Sequence, residues 1–181
     1  MTAVQCWPTI DPGSVIALDH VGIAVADLDE AKEWYLRHLG LRTVHEEVNE
    51  EQGVREAMLA ASADVDSEHP GAYVQLLAPL TPESAIGRFL ARSGPGIQQL
   101  AYRVRNLDGL TDRLRAEGIR LLYDDARRGT AGSRVNFIHP KDAGGVLVEL
   151  VEPAKREPST GTGPWQDDGA TAEVATASQE S

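Results

Sequence analysis

The stretch DHVGIAV at residues 19–25 decides the fold, because its pattern returns as QLAYRV at residues 99–104. The 79 positions that separate His20 from Gln99 also separate the aspartates of the helical segments that follow the two stretches. Each of these helical segments stops at a glycine before the next apolar run. A repeated unit of this size indicates two copies of one supersecondary module.

Hydrophobic periodicity predicts the same order, β-α-β-β-β, in both modules. The first module covers residues 16–80, the second covers residues 97–153, and a connector spans residues 81–96. We therefore expect a single domain over residues 16–153. The predicted strands are 16–25, 41–48, 54–60 and 72–77 in the first module, and 100–104, 120–123, 134–139 and 146–151 in the second.

Helix signals support these boundaries. Asp27 and Asn106 suit the N-caps of the two module helices, and Gly40 and Gly118 suit their ends. Thr81, which a proline follows, predicts the N-cap of a short helix in the connector.

The ends of the chain lack this periodicity. Residues 1–15 predict a flexible lead, and residues 154–181, rich in small and acidic residues, predict a disordered tail. Cys6 is the single cysteine, which excludes an intrachain disulfide and favours the reducing cytoplasm. No apolar run approaches the roughly 18 residues of a membrane helix. The net charge of −11 argues against non-specific nucleic-acid binding.

Four polar side chains occupy symmetry-related positions in otherwise apolar strands. His20 and Gln99 lie in the first strand of each module, and Gln75 and Glu149 lie in the last. One imidazole, one carboxylate and two amide oxygens suit a divalent ion such as Co²⁺, Mn²⁺, Ni²⁺ or Zn²⁺. Each residue alone is equally typical of an ordinary strand, so the metal site depends on the symmetry of the set.

Glu56 is the other carboxylate with a possible chemical role. Glu56 and Glu149 belong to equivalent sheets of opposite modules, from which two bases would reach opposite faces of a substrate. A solvated glutamate at a strand end is the alternative.

One concentrated basic stretch stands out in this acidic chain. Arg127, Arg128, Arg134 and Lys141 predict a site for phosphates or a carboxylate. A solvated basic loop is the alternative.

Together with these residues, several motifs resemble the methylmalonyl-CoA epimerases of the vicinal oxygen chelate superfamily, which also includes glyoxalases, bleomycin resistance proteins and dioxygenases. The most specific motifs are EQGVRE at residues 51–56 and RVNFIHPK at residues 134–141. QLLAP at residues 75–79 and GVLVEL at residues 145–150 add to them. The resemblance covers residues 16–153.

The resemblance implies an α+β fold in which two βαβββ modules pair into a curved mixed sheet around a metal-containing cleft, usually in a homodimer. It implies a divalent metal, typically Co²⁺, held by His20, Gln75, Gln99 and Glu149, although the usual pattern has His where this chain has Gln99. It also implies a metal-dependent isomerase that interconverts (R)- and (S)-methylmalonyl-CoA, with Glu56 and Glu149 as the acid–base pair and the basic stretch at the CoA phosphates.

Two other functions remain open on the sequence. A glyoxalase-type lyase would use the same fold with another ligand set, and a binding protein would sequester a small molecule in the same cleft. A dioxygenase needs two His and one carboxylate, and the predicted set has His20 as its only His. Glu56 separates an enzyme from a binding protein, because a sequestering cleft has no use for a base beside the metal.

Overall fold

The structure, a computed structural model, describes residues 14–61 and 71–154. Most of the predicted flexible lead over residues 1–15 and nearly all of the predicted disordered tail over residues 154–181 lie outside the described residues. Both therefore stay predictions. Within the described ranges, no helix is long and apolar enough to cross a membrane.

Both modules have the predicted β-α-β-β-β order. The first module contains β1 (Val15–Ala24), α1 (Leu28–Leu39), β2 (Arg42–Asn49), β3 (Val54–Ala60) and β4 (Tyr73–Pro79). The connector contains α2 (Ala85–Ser93). The second module contains β5 (Gly96–Val104), α3 (Leu107–Ala116), β6 (Arg127–Arg128), β7 (Arg134–Ile138) and β8 (Val148–Glu152).

The strands form one mixed sheet in the order β2-β3-β4-β1-β5-β8-β7-β6. The modules meet where β1 pairs antiparallel with β5. On either side of this seam, β4 is parallel to β1 and β8 is parallel to β5. The four central strands are therefore the ones on which the sequence places the predicted metal ligands, and the predicted α+β fold is confirmed.

Two helices, α1 and α3, cover the outer face of the sheet, whereas α2 packs on Val54 and Leu77 at one end of the cleft. Leu28 of α1 packs against Leu59 and Leu76 of β3 and β4, and Leu110 of α3 packs against Leu150 of β8. Because side chains alternate between the two faces of a strand, the residues beside these leucines turn towards the cleft. The alternation thus turns one polar residue of β4 and one polar residue of β8 towards the cleft.

Capping explains where the helices begin and end. The side chain of Asp27 accepts a hydrogen bond from the backbone N–H of Glu30 (2.9 Å), and α1 ends at Gly40, whose φ of 69° is left-handed. Asn106 caps α3 in the same way through the N–H of Gly109. These caps are as predicted.

Two predictions are wrong in detail. Residues 120–123 form no strand apart from an isolated bridge between Leu121 and Ile138, and the two-residue β6 takes the place beside β7. Thr81 is not the N-cap of α2, because its carbonyl accepts the N–H of Ser84 in a turn. Ser84 is the N-cap, and its hydroxyl accepts the N–H of Gly87 (3.1 Å).

Candidate active site

Four side chains of the central strands converge in the cleft, and we call them the ring: His20, Gln75, Gln99 and Glu149. Glu149 Oε2 lies 3.1 Å from His20 Nε2 and accepts a hydrogen bond from Gln99 Nε2 (2.5 Å). Gln99 Nε2 also donates to Gln75 Oε1 (3.2 Å). The most exposed of the four, Gln99, is only 7% exposed, so the ring is buried.

A β-bulge precedes the ring residue in both strands of the seam. The register of β1 and β5 shifts at Asp19, just before His20, and again at Gln98, just before Gln99. A bulge places two consecutive side chains on the same face, which regular alternation forbids. Both pairs accordingly line cavities of the cleft, whereas regular alternation would turn Gln98 to the face opposite Gln99.

Gly22 makes room for Gln99. The two residues are register partners across the seam. A Cβ atom at position 22 would lie 2.5 Å from Cγ of Gln99, which is closer than real contacts allow. The glycine of the DHVGIAV motif therefore leaves the space that the side chain of Gln99 occupies in the ring.

Glu56 lies beside the ring with both carboxylate oxygens hydrogen-bonded. The hydroxyl of Thr130 donates to Oε1 (2.7 Å), and Gln75 Nε2 donates to Oε2 (3.0 Å). Burial raises the pKa of Glu56 to about 7, against the lowering effect of the Thr130 hydrogen bond. Glu56 is thus a buried carboxylate that gains and loses its proton near neutral pH.

The amide of Gln75 has a defined orientation. Its Nε2 donates to Glu56 and also to the hydroxyl of Thr130 (3.0 Å), so both of its hydrogens point away from the ring centre. Its oxygen therefore points inward, towards Gln99.

His20 is clamped between two carboxylates. Asp19 Oδ1 lies 2.9 Å from Nδ1, and Glu149 lies at Nε2. Burial alone would lower the pKa of His20, but the hydrogen bonds with Asp19 and Glu149 raise it to about 9. Burial would likewise raise the pKa of Asp19, yet hydrogen bonds with His20 and Arg103 hold it below its usual value.

Two cavities flank the ring along the cleft. One of about 640 Å³ reaches Gln99 and the aromatic side chains of Tyr123 and Phe137. The other, of about 600 Å³, reaches His20 and Glu149. Both volumes are in the range of small-molecule sites.

The four basic residues predicted for substrate binding have different surroundings. Arg127 lies over the ring of Tyr123, with 5.2 Å from its Cζ to the centroid, and its Nη1 donates to Glu51 (3.2 Å); Tyr123 and Glu51 line the larger cavity. Arg134 is paired with two carboxylates of its own module. Arg128 is the register partner of Arg134 on β6, and Lys141 lies in a short 3₁₀ turn after β7.

The ring fits a divalent cation by the chemistry of its donors. Glu149 Oε2, Gln75 Oε1 and His20 Nε2 all approach Gln99 Nε2, at 2.5, 3.2 and 3.4 Å. The amide group of Gln99 thus lies where three atoms that can bind a metal meet, and a turned amide would present the oxygen of Gln99 instead. The described residues contain no group of three or more His, Cys, Asp or Glu that could hold a metal, because the ring supplies only two.

The sequence profile of the glyoxalase/bleomycin resistance protein/dioxygenase superfamily matches residues 19–137, and the chain therefore belongs to this superfamily. Within it, the chain is similar to methylmalonyl-CoA epimerases. The crystal structure of that enzyme from Mycobacterium tuberculosis is 59% identical, with a TM-score of 0.74, and the match covers 81% of this chain and 94% of that chain.

Two further relatives agree. A Streptomyces coelicolor methylmalonyl-CoA epimerase variant in complex with 2-nitronate-propionyl-CoA is 46% identical, with a TM-score of 0.73, over 78% of this chain and 100% of that chain. The ethylmalonyl-CoA/methylmalonyl-CoA epimerase of Cereibacter sphaeroides is 34% identical over 74% of this chain and 95% of that protein. The predicted resemblance and the glyoxalase-like fold are confirmed.

Three residues of the site were not singled out from the sequence. Asp19 and Arg103 bind each other beside His20, and Thr130 reaches Glu56 from the loop after β6. Asp19 had a signal, since a carboxylate next to a candidate metal-binding His is a typical partner for its second nitrogen. Thr130 had none, because its position depends on the loop conformation.

Proposed function

We propose that this chain is an epimerase that interconverts the two enantiomers of methylmalonyl-CoA. The names of its relatives support the substrate, since acyl-CoA epimerases are the proteins to which the chain is similar. The observation that carries the proposal is Glu56, a buried carboxylate held beside the ring by Gln75 and Thr130. A sequestering protein has no use for such a base, so the enzyme is favoured over a binding function.

Glu56 removes the α-proton from one face of the substrate. A general base works best when its pKa lies near the working pH, and burial raises the pKa of Glu56 to about 7. Glu149 returns a proton to the other face, and the roles reverse for the opposite enantiomer. Glu149 comes from the other module, on β8, and is buried like Glu56, which supports a different position for each carboxylate relative to the substrate.

His20, Gln75, Gln99 and Glu149 would hold the metal ion, with Co²⁺ as the predicted ion and Mn²⁺, Ni²⁺ or Zn²⁺ as alternatives. When bound, a divalent ion supplies Lewis-acid stabilisation of the negative charge that develops when the α-proton leaves. The metal dependence is part of this proposal.

Arg127 and Arg128 are the proposed contacts for the CoA phosphates. Arg127 lies beside the residues that line the larger cavity. Arg134 pairs with Asp108 and Glu152, so a phosphate would have to compete with two carboxylates for it. Lys141 stays a weaker candidate on a neighbouring turn. A homodimer in the cytoplasm completes the proposal.

Deuterium uptake from D₂O tests the chemistry. Purified protein loaded with Co²⁺ is incubated with methylmalonyl-CoA, and α-deuterium is followed by mass spectrometry, with a chelator-treated sample as the control for the metal. Fast uptake that depends on the metal supports the proposal. Absence of uptake with Co²⁺, Mn²⁺, Ni²⁺ and Zn²⁺ would refute it.

Two comparisons sharpen the substrate assignment. Ethylmalonyl-CoA tests whether the α-substituent is restricted, because one relative carries both substrates in its name. A glutathione hemithioacetal tests the glyoxalase-type alternative. Turnover of the hemithioacetal without deuterium uptake into the CoA thioesters would contradict the proposed epimerase and support a glyoxalase-type lyase.

A further inference from the structure

Asp19 joins the ring to a residue of the other module. Its Oδ1 lies 2.9 Å from Nδ1 of His20, and its Oδ2 accepts a hydrogen bond from Nε of Arg103 (2.7 Å). Each carboxylate oxygen thus has one strong partner. Asp19 lies in this position because the β-bulge turns it to the same side as His20.

The hydrogen bond with Asp19 decides which nitrogen of His20 faces the ring. An ionised carboxylate only accepts hydrogen bonds, so Nδ1 of His20 must carry the hydrogen. In the metal-free protein Nε2 also carries a hydrogen, which it donates to Glu149, and a bound metal would replace that hydrogen at Nε2, the nitrogen that lies beside Glu149 and Gln99. The imidazole plane of His20 is therefore fixed by a partner at each nitrogen, Asp19 at Nδ1 and Glu149 at Nε2.

Arg103 stabilises the buried carboxylate of Asp19. Asp19 is 7% exposed, and a carboxylate at that depth needs a charged or strongly donating partner. Arg103 comes from β5, across the seam, and its side chain is 28% exposed. The orientation of a ring residue of the first module therefore depends on an arginine of the second.

We propose that Asp19 and Arg103 are positioning residues that fix the tautomer and the orientation of His20 for a bound metal ion. This inference rests on the proposed function, because it requires a cation in the ring. Asp19 acts on His20 directly, and Arg103 acts on His20 through Asp19.

The equivalent bulge of the second module supports the assignment. Gln98 occupies there the place of Asp19, and its ring neighbour is Gln99 rather than a histidine. Among the described residues, Oε1 of Gln98 is buried and has no hydrogen-bond partner. Where no imidazole requires a partner, the side-chain oxygen of the bulge residue has none, whereas at His20 both carboxylate oxygens of the bulge residue have one.

Metal affinity measures the effect without reference to activity. The dissociation constant of Co²⁺ is obtained by competition with a chromophoric chelator for the wild type and for Asp19→Asn. We expect a loss of about 10- to 100-fold, the usual effect of removing the partner of a metal-binding His. Asp142→Asn is the matched control, because Asp142 also accepts from an arginine Nε at 2.7 Å but its partner is Arg120 rather than a residue beside the ring.

Arg103 provides a second, independent variant. We expect Arg103→Met to weaken Co²⁺ binding by about tenfold, at the low end of the range. Arg103→Lys should recover part of this loss, since an ammonium group can still donate to Asp19. Circular dichroism before titration ensures that only folded variants are compared, and equal loss in the Met and Lys variants would contradict the inference.

A spectroscopic readout separates orientation from general destabilisation. In the Co²⁺ protein, the Nδ1–H proton of a metal-bound His is shifted by the paramagnetic ion and visible by NMR. We expect it to exchange slowly with water in the wild type and at least tenfold faster in Asp19→Asn. Wild-type affinity and wild-type exchange in Asp19→Asn would overturn the inference and leave the epimerase intact. Absence of wild-type α-deuterium uptake would instead refute the proposed function.

Discussion

The two modules contribute equivalent residues to the ring but not to the strand beside it. β3 and β7 occupy equivalent places, since each pairs antiparallel with the last strand of its module. Glu56 pairs with the residue two positions beyond Gln75, and Val135 pairs with the residue two positions beyond Glu149. Glu56, the proposed base of the first module, thus corresponds to a valine that is 1% exposed in the second.

This difference distinguishes the residues proposed to bind the cation from the residue proposed to act as the base. The ring follows the repeat, so both modules contribute to the proposed cation site. Glu56 breaks the repeat, and the corresponding face of the second module is an apolar cluster of Ala101, Val135, Phe137 and Val151. A polar wall and an apolar wall therefore face each other across one cleft, and the two faces of a substrate meet different groups.

Removing the base of the first module is the most direct way to break this comparison. We expect Glu56→Gln to lower epimerisation by about 10²- to 10⁴-fold, the usual contribution of a general base, while the amide keeps the shape of the side chain. Deuterium uptake measured separately on the two enantiomers should fall strongly for one of them only.

Glu33→Gln is the control for this change. Glu33 is an exposed carboxylate of α1 paired with Arg37, so the same chemical change there should leave the rate unaltered. An equal loss for both enantiomers in Glu56→Gln would contradict the assignment of one glutamate to each face.

Placing a carboxylate at the equivalent position of the second module should fail. Val135→Glu puts a charge into the apolar cluster without a partner, and we expect it to lower the free energy of unfolding by about 3 kcal/mol or more. Urea unfolding measures this. Val146→Glu is the control, because Val146 is 44% exposed and should change stability by only about 0.5 kcal/mol.

The metal affinity of the ring should depend on pH through only one of the two ring residues that lie on the first strands of the modules. His20 in the metal-free protein has a pKa of about 9, whereas the amide of Gln99 does not titrate. A metal must displace the proton of His20, so its apparent affinity should rise about tenfold per pH unit up to pH 9. Between pH 6 and pH 8 the gain is about 100-fold.

Chelator competition at these pH values checks the slope. Calorimetry in buffers of different ionisation enthalpy counts the protons released, with one proton expected per metal. Affinity that does not change with pH would contradict the clamp on His20. Gln99→His should restore the symmetry of the ring and release a second proton.

The smallest expected effect concerns the contact that crosses from the second module to the base. Thr130→Val removes the hydroxyl that donates to Glu56 and keeps the shape of the side chain. A hydrogen bond to a charged group contributes about 1.5 kcal/mol, so kcat/KM should fall about tenfold. Thr130→Ser, which keeps the hydroxyl, should retain most of the activity; if Ser and Val lose equally, packing rather than the hydrogen bond is responsible.

The sequence predicted the features that follow from local pattern and from the repeat. The caps at Asp27 and Asn106 and the strand at residues 54–60 are observed as predicted. Side-chain alternation and the internal repeat were sufficient to predict that His20 and Gln99 lie close together, because both patterns can be recognised in the sequence. The roles of the site residues and the identity of the metal stay proposals.

What the sequence did not predict depends on departures from regular geometry. The bulge at Asp19 is a pairing irregularity, so alternation would have placed Asp19 on the opposite face from His20. Thr130 lies in a turn beside Ala131, whose φ of 54° is unusual for a residue other than glycine. Residues 120–122 do lie along β7, with backbone hydrogen bonds from Leu122 N–H to Phe137 and from His139 N–H to Arg120, but this pairing is limited to one bridge and forms no strand.

The two amides of the ring lie between the two proposed acid–base groups, Glu56 and Glu149. Glu56 accepts from Gln75, Gln75 accepts from Gln99, and Gln99 donates to Glu149, which forms a continuous row of hydrogen bonds. A carboxamide holds its hydrogens on nitrogen and accepts on oxygen, so it cannot hand a proton along as a hydroxyl or water does. The row connects the two carboxylates by hydrogen bonds but cannot transfer a proton between them. If the two glutamates act on opposite faces of the substrate as proposed, a proton taken up by one of them therefore cannot reach the other along this row.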